Sequence, residues 1–263
     1  HLNLGGRGVQ ASAPAANKPD HGWRVELGRV AMRGGQASWQ DESAPGPARL
    51  ALHDLALDAS AISMPVEHPA RFAGSLRLAG PQASKPAELA FAGDGTDRQG
   101  KVALSVRSLA LEWAAPYLAQ WATPRLGGVL EADVGLAWNG AALVAQVAGL
   151  GLDDVFLSCA SASDCEGAAP AALALRGKQS LAELKRLRME DARIDLAQHS
   201  VRVGRVALTQ PRALVDRVAD GRWMFERWQR PRQPADGRQP QAGATSWAVQ
   251  LANIEIDGGA AAF

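Results

Sequence analysis

The stretch WRVELGRVAMRGGQASW, Trp23 to Trp39, decides the fold class, because its apolar residues alternate with polar or small ones. Strict alternation puts successive side chains on opposite faces of a β-strand, one of which is buried. The same figure recurs as WAVQLANIEIDGGAAAF, Trp247 to Phe263, and predicts the same structural unit there. Eight residues of the first stretch correspond, at a constant offset, to eight of the second. In the first stretch they are Trp23, Val25, Leu27, Val30, Met32, Gly34, Gly35 and Trp39, and in the second Trp247, Val249, Leu251, Ile254, Ile256, Gly258, Gly259 and Phe263.

The alternation slips once by an extra residue and then resumes, as apolar-x-x-apolar-x-apolar. A β-bulge absorbs such a residue, because two residues then oppose one and the apolar set returns to its original face. The alternative is a strand that changes face, as at a barrel or sandwich corner. We favour bulges, since one repeated kink per strand produces a curved sheet. The slipped figure occurs at six further places, which are Leu52 to Leu57, Val106 to Leu111, Val147 to Leu152, Leu184 to Met189, Val203 to Leu208 and Leu251 to Ile256.

Composition narrows the class of protein. The chain has 263 residues, with 28 Lys and Arg against 27 Asp and Glu, so its near-neutral charge does not indicate a nucleic-acid partner. No window approaches 18 uninterrupted apolar residues, and the first residues do not have the form of a signal peptide. Because the sequence opens without a starting Met and closes on GGAAAF, we expect it to be an excised segment of a longer protein.

The predicted fold is all-β, with long, curved, mostly antiparallel sheets of bulged strands that form a groove or an open sandwich. One short helix is expected near residues 112–121 (EWAAPYLAQW), with Pro116 in its first turn. The predicted strands are Trp23 to Met32, Gln36 to Gln40, Ala48 to Ile62, Arg71 to Leu78, Ala87 to Ala92, Gly100 to Leu109, Val129 to Trp138, Leu143 to Leu157, Leu173 to Arg176, Val201 to Leu208 and Ala213 to Val218.

Turn residues set the boundaries between these strands. Hairpin turns are predicted at Arg33-Gly34-Gly35, Gly93-Asp94-Gly95 and Asn139-Gly140, and Gly127-Gly128 is expected to open a strand. Ser180 to Met189 is ambiguous, since Ser180 and Glu183 have the spacing of a helix capping box, but its apolar pattern overlays Leu27 to Trp39 and favours a strand. The predicted organisation is an irregular segment 1–20, β-groove units 21–140 and 141–228, a Pro-rich mobile loop 229–245, and the start of a further repeat unit at 246–263.

The two cysteines, Cys159 and Cys165, enclose the stretch Ala-Ser-Ala-Ser-Asp. Their spacing matches no redox or zinc motif. A disulfide across this loop requires an oxidising compartment, whereas two free thiols are the alternative. We favour the disulfide.

No motif in the sequence supports catalysis. The five histidines are scattered, the adjacent carboxylates Asp153-Asp154 and Glu190-Asp191 would point to opposite faces of a strand, and no nucleophile elbow is present. Gly5-Gly6-Arg7-Gly8 lacks the strand and helix that flank a phosphate-binding loop. The eight tryptophans raise the possibility of a carbohydrate platform, but three of them occupy positions of the strand repeat, which favours packing. The sequence therefore predicts a protein that is not an enzyme and has no metal or cofactor.

The run from Leu181 to Trp228 resembles the DUF748 family of the AsmA-like envelope proteins. In that family an apolar strand and a small-residue turn are followed by Pro-x-x-x-x-x-Arg and by Asp-Gly-Arg-Trp/Leu-Asn. Here these elements are Pro211 to Arg217 and Asp220-Gly221-Arg222-Trp223, with Met224 where Asn is common. The Trp23 strand and the segment Leu111 to Gly128 also resemble the family's first half.

This resemblance implies a periplasmic protein, anchored in the inner membrane by a segment N-terminal to residue 1, with a long curved sheet whose apolar face carries phospholipid acyl chains. The partners it implies are phospholipid or another lipid, the inner membrane, and other envelope proteins. The functions it implies are outer membrane biogenesis and lipid transport between membranes. The residues expected to line the groove are Val25, Leu27, Leu50, Leu52, Leu55, Leu57, Leu104, Val106, Val134, Leu136, Val201 and Val203.

Two alternatives to a lipid groove remain at this stage. An open sheet with one apolar face must cover it with a helix, a second sheet or an apolar ligand, and the sequence predicts a single short helix. A second sheet would give a closed β-sandwich, which would be a structural or assembly module of the envelope without a ligand. A glycan-binding β module is the third possibility.

Overall fold

The computed structural model describes residues 23–42, 48–80, 85–119, 122–159, 175, 180–217, 221, 223–228 and 246–262. These residues form a single sheet of eleven strands. In chain order the strands are β1 (Val25–Asp41), β2 (Ala48–Met64), β3 (Ala70–Ala79), β4 (Ala87–Gly95), β5 (Gln99–Ala110), β6 (Arg125–Asn139), β7 (Ala142–Ser158), β8 (Ser180–Asp195), β9 (Ser200–Leu214), β10 (Ala248–Asp257) and β11 (Ala260–Ala262).

The sheet is a meander in which strands that are neighbours in sequence are also neighbours in space. The order is β1 to β10, and β11 pairs with β9 beyond the end of β10. Every ladder from β1 to β9 is antiparallel, whereas β10 and β11 lie parallel to β9. The sheet does not close, so β1 and β10 are its two edges. The prediction of a mostly antiparallel, open all-β fold is confirmed.

Two of the slipped figures, Leu52 to Leu57 and Val106 to Leu111, contain a kink at the second of their two x positions, and further kinks follow Val147 to Leu152 and Leu184 to Met189. Asp54, Ser108, Asp154 and Asp191 all have φ between 50° and 56°, a left-handed conformation that Asp and Ser tolerate better than branched residues. At Ser108 the kink is a true bulge, because the pairing jumps from Val106 to Leu109 on β5. The predicted bulges at Leu52 to Leu57, Val106 to Leu111 and Val147 to Leu152 coincide with register shifts.

In β8 and β9 the pairing skips one residue on each strand in the same row, so the register continues without a shift. Asp191 of β8 and Gly204 of β9 are both skipped by the pairing, which passes from Glu190 with Arg205 to Ala192 with Val203. Because each strand leaves one residue unpaired at the same place, the apolar residues on either side of it remain opposite one another. The bulges predicted at Leu184 to Met189, Val203 to Leu208 and Leu251 to Ile256 are not accompanied by register shifts.

The predicted hairpin at Arg33-Gly34-Gly35 is wrong. β1 runs through this site as one strand, and Gly34, with φ of 65°, is the kink at which pairing steps from Met32 opposite Leu57 to Gly35 opposite Leu55. The related stretch at the C-terminal end is no hairpin either. Gly258, with φ of 64°, separates β10 from β11, and both strands continue along β9 in the same direction.

Several predicted strand boundaries differ from those of the structure. Gly93-Asp94-Gly95 lies inside β4, and the turn follows at Thr96, whose hydroxyl accepts hydrogen bonds from the backbone N–H groups of Arg98 and Gln99. Gly127-Gly128 lies within β6 rather than before it. The strand predicted at Ala213 to Val218 is the end of β9 followed by an isolated bridge between Arg217 and Trp223, and a 3₁₀ segment, Met224–Trp228, comes next.

The remaining boundaries agree with the sequence. Gly140, with φ of 59°, lies in the turn between β6 and β7, and the ambiguous segment from Ser180 is strand β8. The helix is a 3₁₀ segment, Leu111–Ala114, followed by α1 (Ala115–Leu118), with Pro116 in the first turn. Three predicted segments lie outside the described residues, namely the segment 1–20, the strand around 173–176 except residue 175, and the loop 229–245. The sheet runs on across the predicted boundary at residue 140, since β6 and β7 pair along their length.

Candidate functional site

The strand register collects most of the large apolar side chains on one side of the sheet, which we call the apolar face. A single row of directly paired residues shows this across eight strands: Leu76, Leu89, Val106, Ala132, Leu150, Met189, Val206 and Ile254. Paired residues share a face because side chains directly opposite each other project to the same side. Among the paired residues of this face, only Asp41 at the end of β1 carries a charge.

The opposite side, which we call the polar face, carries a network of cross-strand ion pairs. Arg107 Nη2 lies 2.8 Å from Asp133 Oδ1, and Arg205 bonds to both Glu190 and Glu255 on its two neighbouring strands. Hydrogen bonding to Arg107 holds the pKa of the Asp133 carboxyl below its usual value. The two faces therefore differ in chemistry from one edge of the sheet to the other.

The apolar face has no covering layer in the described part of the chain. These residues form one sheet, and their helical segments are only four or five residues long. Exposure rises from the middle of the face to its edges, since Val106 and Val147 are each 7% exposed whereas Trp39 and Ile256 are 45% and 62% exposed. Monomeric soluble proteins rarely expose large contiguous apolar patches, so a face of this kind indicates an interaction surface.

The residues predicted to line a groove lie on this face. The paired rows join ten of them, for example Leu104 opposite both Phe91 and Val134, and Val203 opposite both Ala192 and Leu251. These ten are Leu50, Leu52, Leu55, Leu57, Leu104, Val106, Val134, Leu136, Val201 and Val203. Val25 and Leu27 pair with Met64 and Ile62 at the β1 edge, beyond the kink at Ala61.

A concavity of about 640 Å³ lies between β7, β8, β9 and β11. Its apolar lining comes from both sides of the kink at Gln210, with Leu208 before it and Pro211 after it, together with Val155 and Leu184. This volume is within the range of about 300–1,000 Å³ that is typical of ligand sites. Sequence reasoning missed these four residues as groove lining, although the slipped alternation at Leu184 marked the strand.

The short helical segment after β5 lies across one end of the apolar face. Glu112 Oε1 accepts a hydrogen bond from the backbone N–H of Gly128 at 3.3 Å, which fastens the segment to β6. The Trp113 indole lies so close to Gly80 at the end of β3 that a Cβ at this position would clash with Nε1. The ring of Tyr117 stacks on Trp39 of β1. One segment thus contacts strands β1, β3 and β6 at the same end of the sheet.

No metal or thiol centre accompanies this face in the described residues. They contain no group of three or more His, Cys, Asp or Glu side chains arranged to hold a metal ion. Cys159, 4% exposed at the end of β7, is disulfide-bonded, and the chain's other cysteine, Cys165, lies outside the described residues. Of the helices that the structure describes, none is long and apolar enough to cross a membrane.

No protein-family model, no curated protein and no solved structure matches the chain. The fold and the two-faced sheet are therefore the basis on which a function can be argued.

Proposed function

We propose that this chain is a segment of an AsmA-like protein of the bacterial periplasm, and that its apolar face accommodates the acyl chains of phospholipids. In this role the sheet shields hydrocarbon from water along its length while the polar face meets solvent. The function is passive: lipid moves or rests along the sheet, and no bond is made or broken. The proposed partners are phospholipid, the inner membrane through an anchor on the full-length protein, and other envelope proteins.

One observation carries the proposal, which is an apolar face with Asp41 as the one charged residue among its paired positions, formed by eleven strands without a covering layer among the described residues. Strands of 15 to 17 residues such as β6, β7 and β8 extend for roughly 50 Å, which makes the face longer than a typical ligand pocket. Exposing such a surface costs about 25 cal/mol for each Å² left in water. An apolar ligand with many CH2 groups offsets that cost along the whole face.

The disulfide at Cys159 supports the periplasmic part of the proposal. Disulfides persist in oxidising compartments, of which the bacterial periplasm is one. The resemblance of Leu181 to Trp228 to the AsmA-like envelope proteins points to the same compartment.

The test is to express the protein with export to the periplasm, purify it without detergent, and analyse it by native mass spectrometry and by lipid extraction. We expect phospholipid to copurify in a reproducible ratio to protein. A protein that is folded by circular dichroism, carries no lipid, and takes none up from phospholipid vesicles would contradict the proposal and favour a structural module without a ligand.

A further inference from the structure

Two arginines stand directly opposite each other on the polar face, Arg193 of β8 and Arg202 of β9. The Cβ atoms of directly opposed residues are only about 4.5–5.5 Å apart, and like charges in this position repel. The other directly opposed charged pairs of the described strands all combine opposite signs. These pairs are Arg71 with Asp94, Arg77 with Glu88, Glu88 with Arg107, Asp94 with Lys101, Asp153 with Arg186, Glu183 with Arg212, and Glu190 with Arg205.

Neither arginine has a counter-charge within the described part of the chain. Both side chains are exposed, and neither takes part in a hydrogen bond or an ion pair there. The neighbouring carboxylates have other roles: Asp195 Oδ1 accepts the backbone N–H of Gln198 at 3.0 Å, and Glu190 pairs with Arg205. Asp191 leaves the ladder at its kink and forms an ion pair with neither arginine.

The row continues on both sides with neutral hydrogen-bond donors. Gln146 of β7 lies opposite Arg193, and Gln250 of β10 lies opposite Arg202. Both glutamines are exposed. Four donor side chains therefore stand side by side across four strands, with the two positive charges in the centre.

We propose that Arg193 and Arg202, flanked by Gln146 and Gln250, bind a phosphate-type dianion. A guanidinium group bonds to two phosphate oxygens at once, and two guanidinium groups on adjacent strands can share one phosphate. A dianion neutralises both charges, whereas a carboxylate leaves one uncompensated. A polyanion is a poorer fit, because the surrounding arginines are already paired with carboxylates and the chain's net charge is only +1.

This site lies on the face opposite the apolar face, so it does not depend on the proposed lipid function. A variant that loses phosphate binding can therefore still be tested for lipid binding, and a variant that loses lipid binding can still be tested for phosphate binding. The phosphate source is either a soluble phosphate compound or the headgroup of an anionic lipid, and the same chemistry recognises both.

The experiment is isothermal titration calorimetry of the whole chain with inorganic phosphate at neutral pH and low ionic strength. We expect saturable binding, a loss of about tenfold in affinity for Arg193→Gln and for Arg202→Gln, and no measurable binding for the double variant. The matched control is Arg49→Gln, which removes one exposed arginine opposite another glutamine, Gln40, on the same face. It should bind phosphate as the unmodified protein does.

A charge reversal separates binding from folding. Arg202→Glu converts the repulsive pair into an attractive one, so the melting temperature should rise or stay constant while phosphate binding disappears. Equal phosphate binding by the unmodified protein and the double variant would overturn the proposal, as would an equal loss in Arg49→Gln.

Vesicles identify the source of the phosphate. Phosphatidylcholine vesicles with and without phosphatidic acid are sedimented with the protein. Binding that requires phosphatidic acid and is lost in Arg193→Gln assigns the site to lipid headgroups. Phosphate binding without vesicle binding assigns it to soluble phosphate compounds.

Discussion

The ring of Tyr117 stacks on the indole of Trp39, with 6.4 Å between the ring centroids and 22° between their planes. Its hydroxyl lies 3.2 Å from Asp41 Oδ2, to which it donates a hydrogen bond. Tyr117 follows β5, whereas Trp39 and Asp41 belong to β1, and three strands lie between β5 and β1. The contact joins residues that the sheet alone keeps about four strand spacings apart, or roughly 19 Å. It therefore links the segment after β5 to the β1 edge at one end of the sheet.

The phenol of Tyr117 should titrate above the ordinary tyrosine value. Burial raises the pKa of Tyr117, and the hydrogen bond to Asp41 and the charge of that carboxylate raise it further. Tyr117 is the chain's single tyrosine, so tyrosinate absorbance reports on this contact alone. Because the folded state holds the proton more tightly, the stabilising contribution is present below about pH 10 and is lost as pH rises through the folded pKa.

Asp41→Asn is the matched variant for this titration, because it removes the charge and leaves a similar side chain. We expect its tyrosinate midpoint to move back toward the ordinary value. Identical midpoints for the native and the urea-unfolded protein would show that the Tyr117 contact does not form in solution.

The kinks can be tested at Ala61, whose φ of 56° is the left-handed conformation. A residue with a side chain loses about 1–2 kcal/mol of folding stability in this conformation, and Gly does not. Gly in turn loses about 0.5–1 kcal/mol, because it has more conformational entropy in the unfolded chain. Ala61→Gly should therefore raise the free energy of unfolding by up to about 1 kcal/mol in urea denaturation.

The control for this prediction is Ala59→Gly, two residues earlier on β2. Ala59 is paired directly with Val30 and is not among the left-handed residues. Its replacement should lower the free energy of unfolding by about 0.5–1 kcal/mol, because Gly weakens an extended strand. An equal loss in both variants would mean that β2 is straight at Ala61.

The sequence predicts the strands because side-chain alternation is a local property. It also marks two of the kinks, since Asp54 and Ser108 lie within predicted slipped figures, whereas the kinks at Ala61 and Gln210 lie outside all of them. The hairpin predicted at Gly34 is absent because Gly adopts a left-handed φ equally well in a hairpin turn and in a kink, and the same is true at Gly258. Only the pairing of Gly35 with Leu55 distinguishes the two, and pairing is a tertiary property.

Asp153 should contribute to stability in a pH-dependent way. Its carboxylate accepts hydrogen bonds from Arg186 Nε at 2.8 Å and from Arg188 Nη2 at 2.9 Å. Partial burial raises the pKa of Asp153, but the two arginines outweigh it and leave the pKa below the usual aspartate value. Asp153→Asn should lower the free energy of unfolding by about 1 kcal/mol at neutral pH, since the site is partly exposed.

The sign of the pH effect follows from the lowered pKa. The stabilisation by Asp153 is fully present above about pH 4 and is lost as pH falls through the folded pKa. The difference between the unmodified protein and Asp153→Asn should therefore vanish in acid. Asp94→Asn is the control, because Lys101 lies 3.7 Å away and the pair is exposed, so a loss below about 0.5 kcal/mol is expected. A larger effect for Asp94 would contradict this assignment.

The groove lining could be predicted in part, because alternation shows which residues share a face within one strand. It does not show which strands are adjacent, so Leu184 and Pro211 were not joined in advance. The opposition of Arg193 and Arg202 could not be predicted either, since eight residues of β8, β9 and their turn lie between them in sequence and only the register places them together. The sequence therefore predicts which face of the sheet a residue lies on, but only the fold shows which residues of adjacent strands are opposite it.

A single charge on each face should separate lipid binding from folding. Leu104 lies on the apolar face opposite Phe91 and Val134, and its neighbour Ala103 lies exposed on the polar face opposite Ala92 and Gly135. Leu104→Asp puts a carboxylate where acyl chains are proposed to lie, so copurified phospholipid should fall severalfold while the strand circular dichroism persists. Ala103→Asp adds the same charge and should keep its lipid. If Leu104→Asp instead unfolds the protein while Ala103→Asp does not, this part of the face is packed against protein, and lipid cannot occupy it.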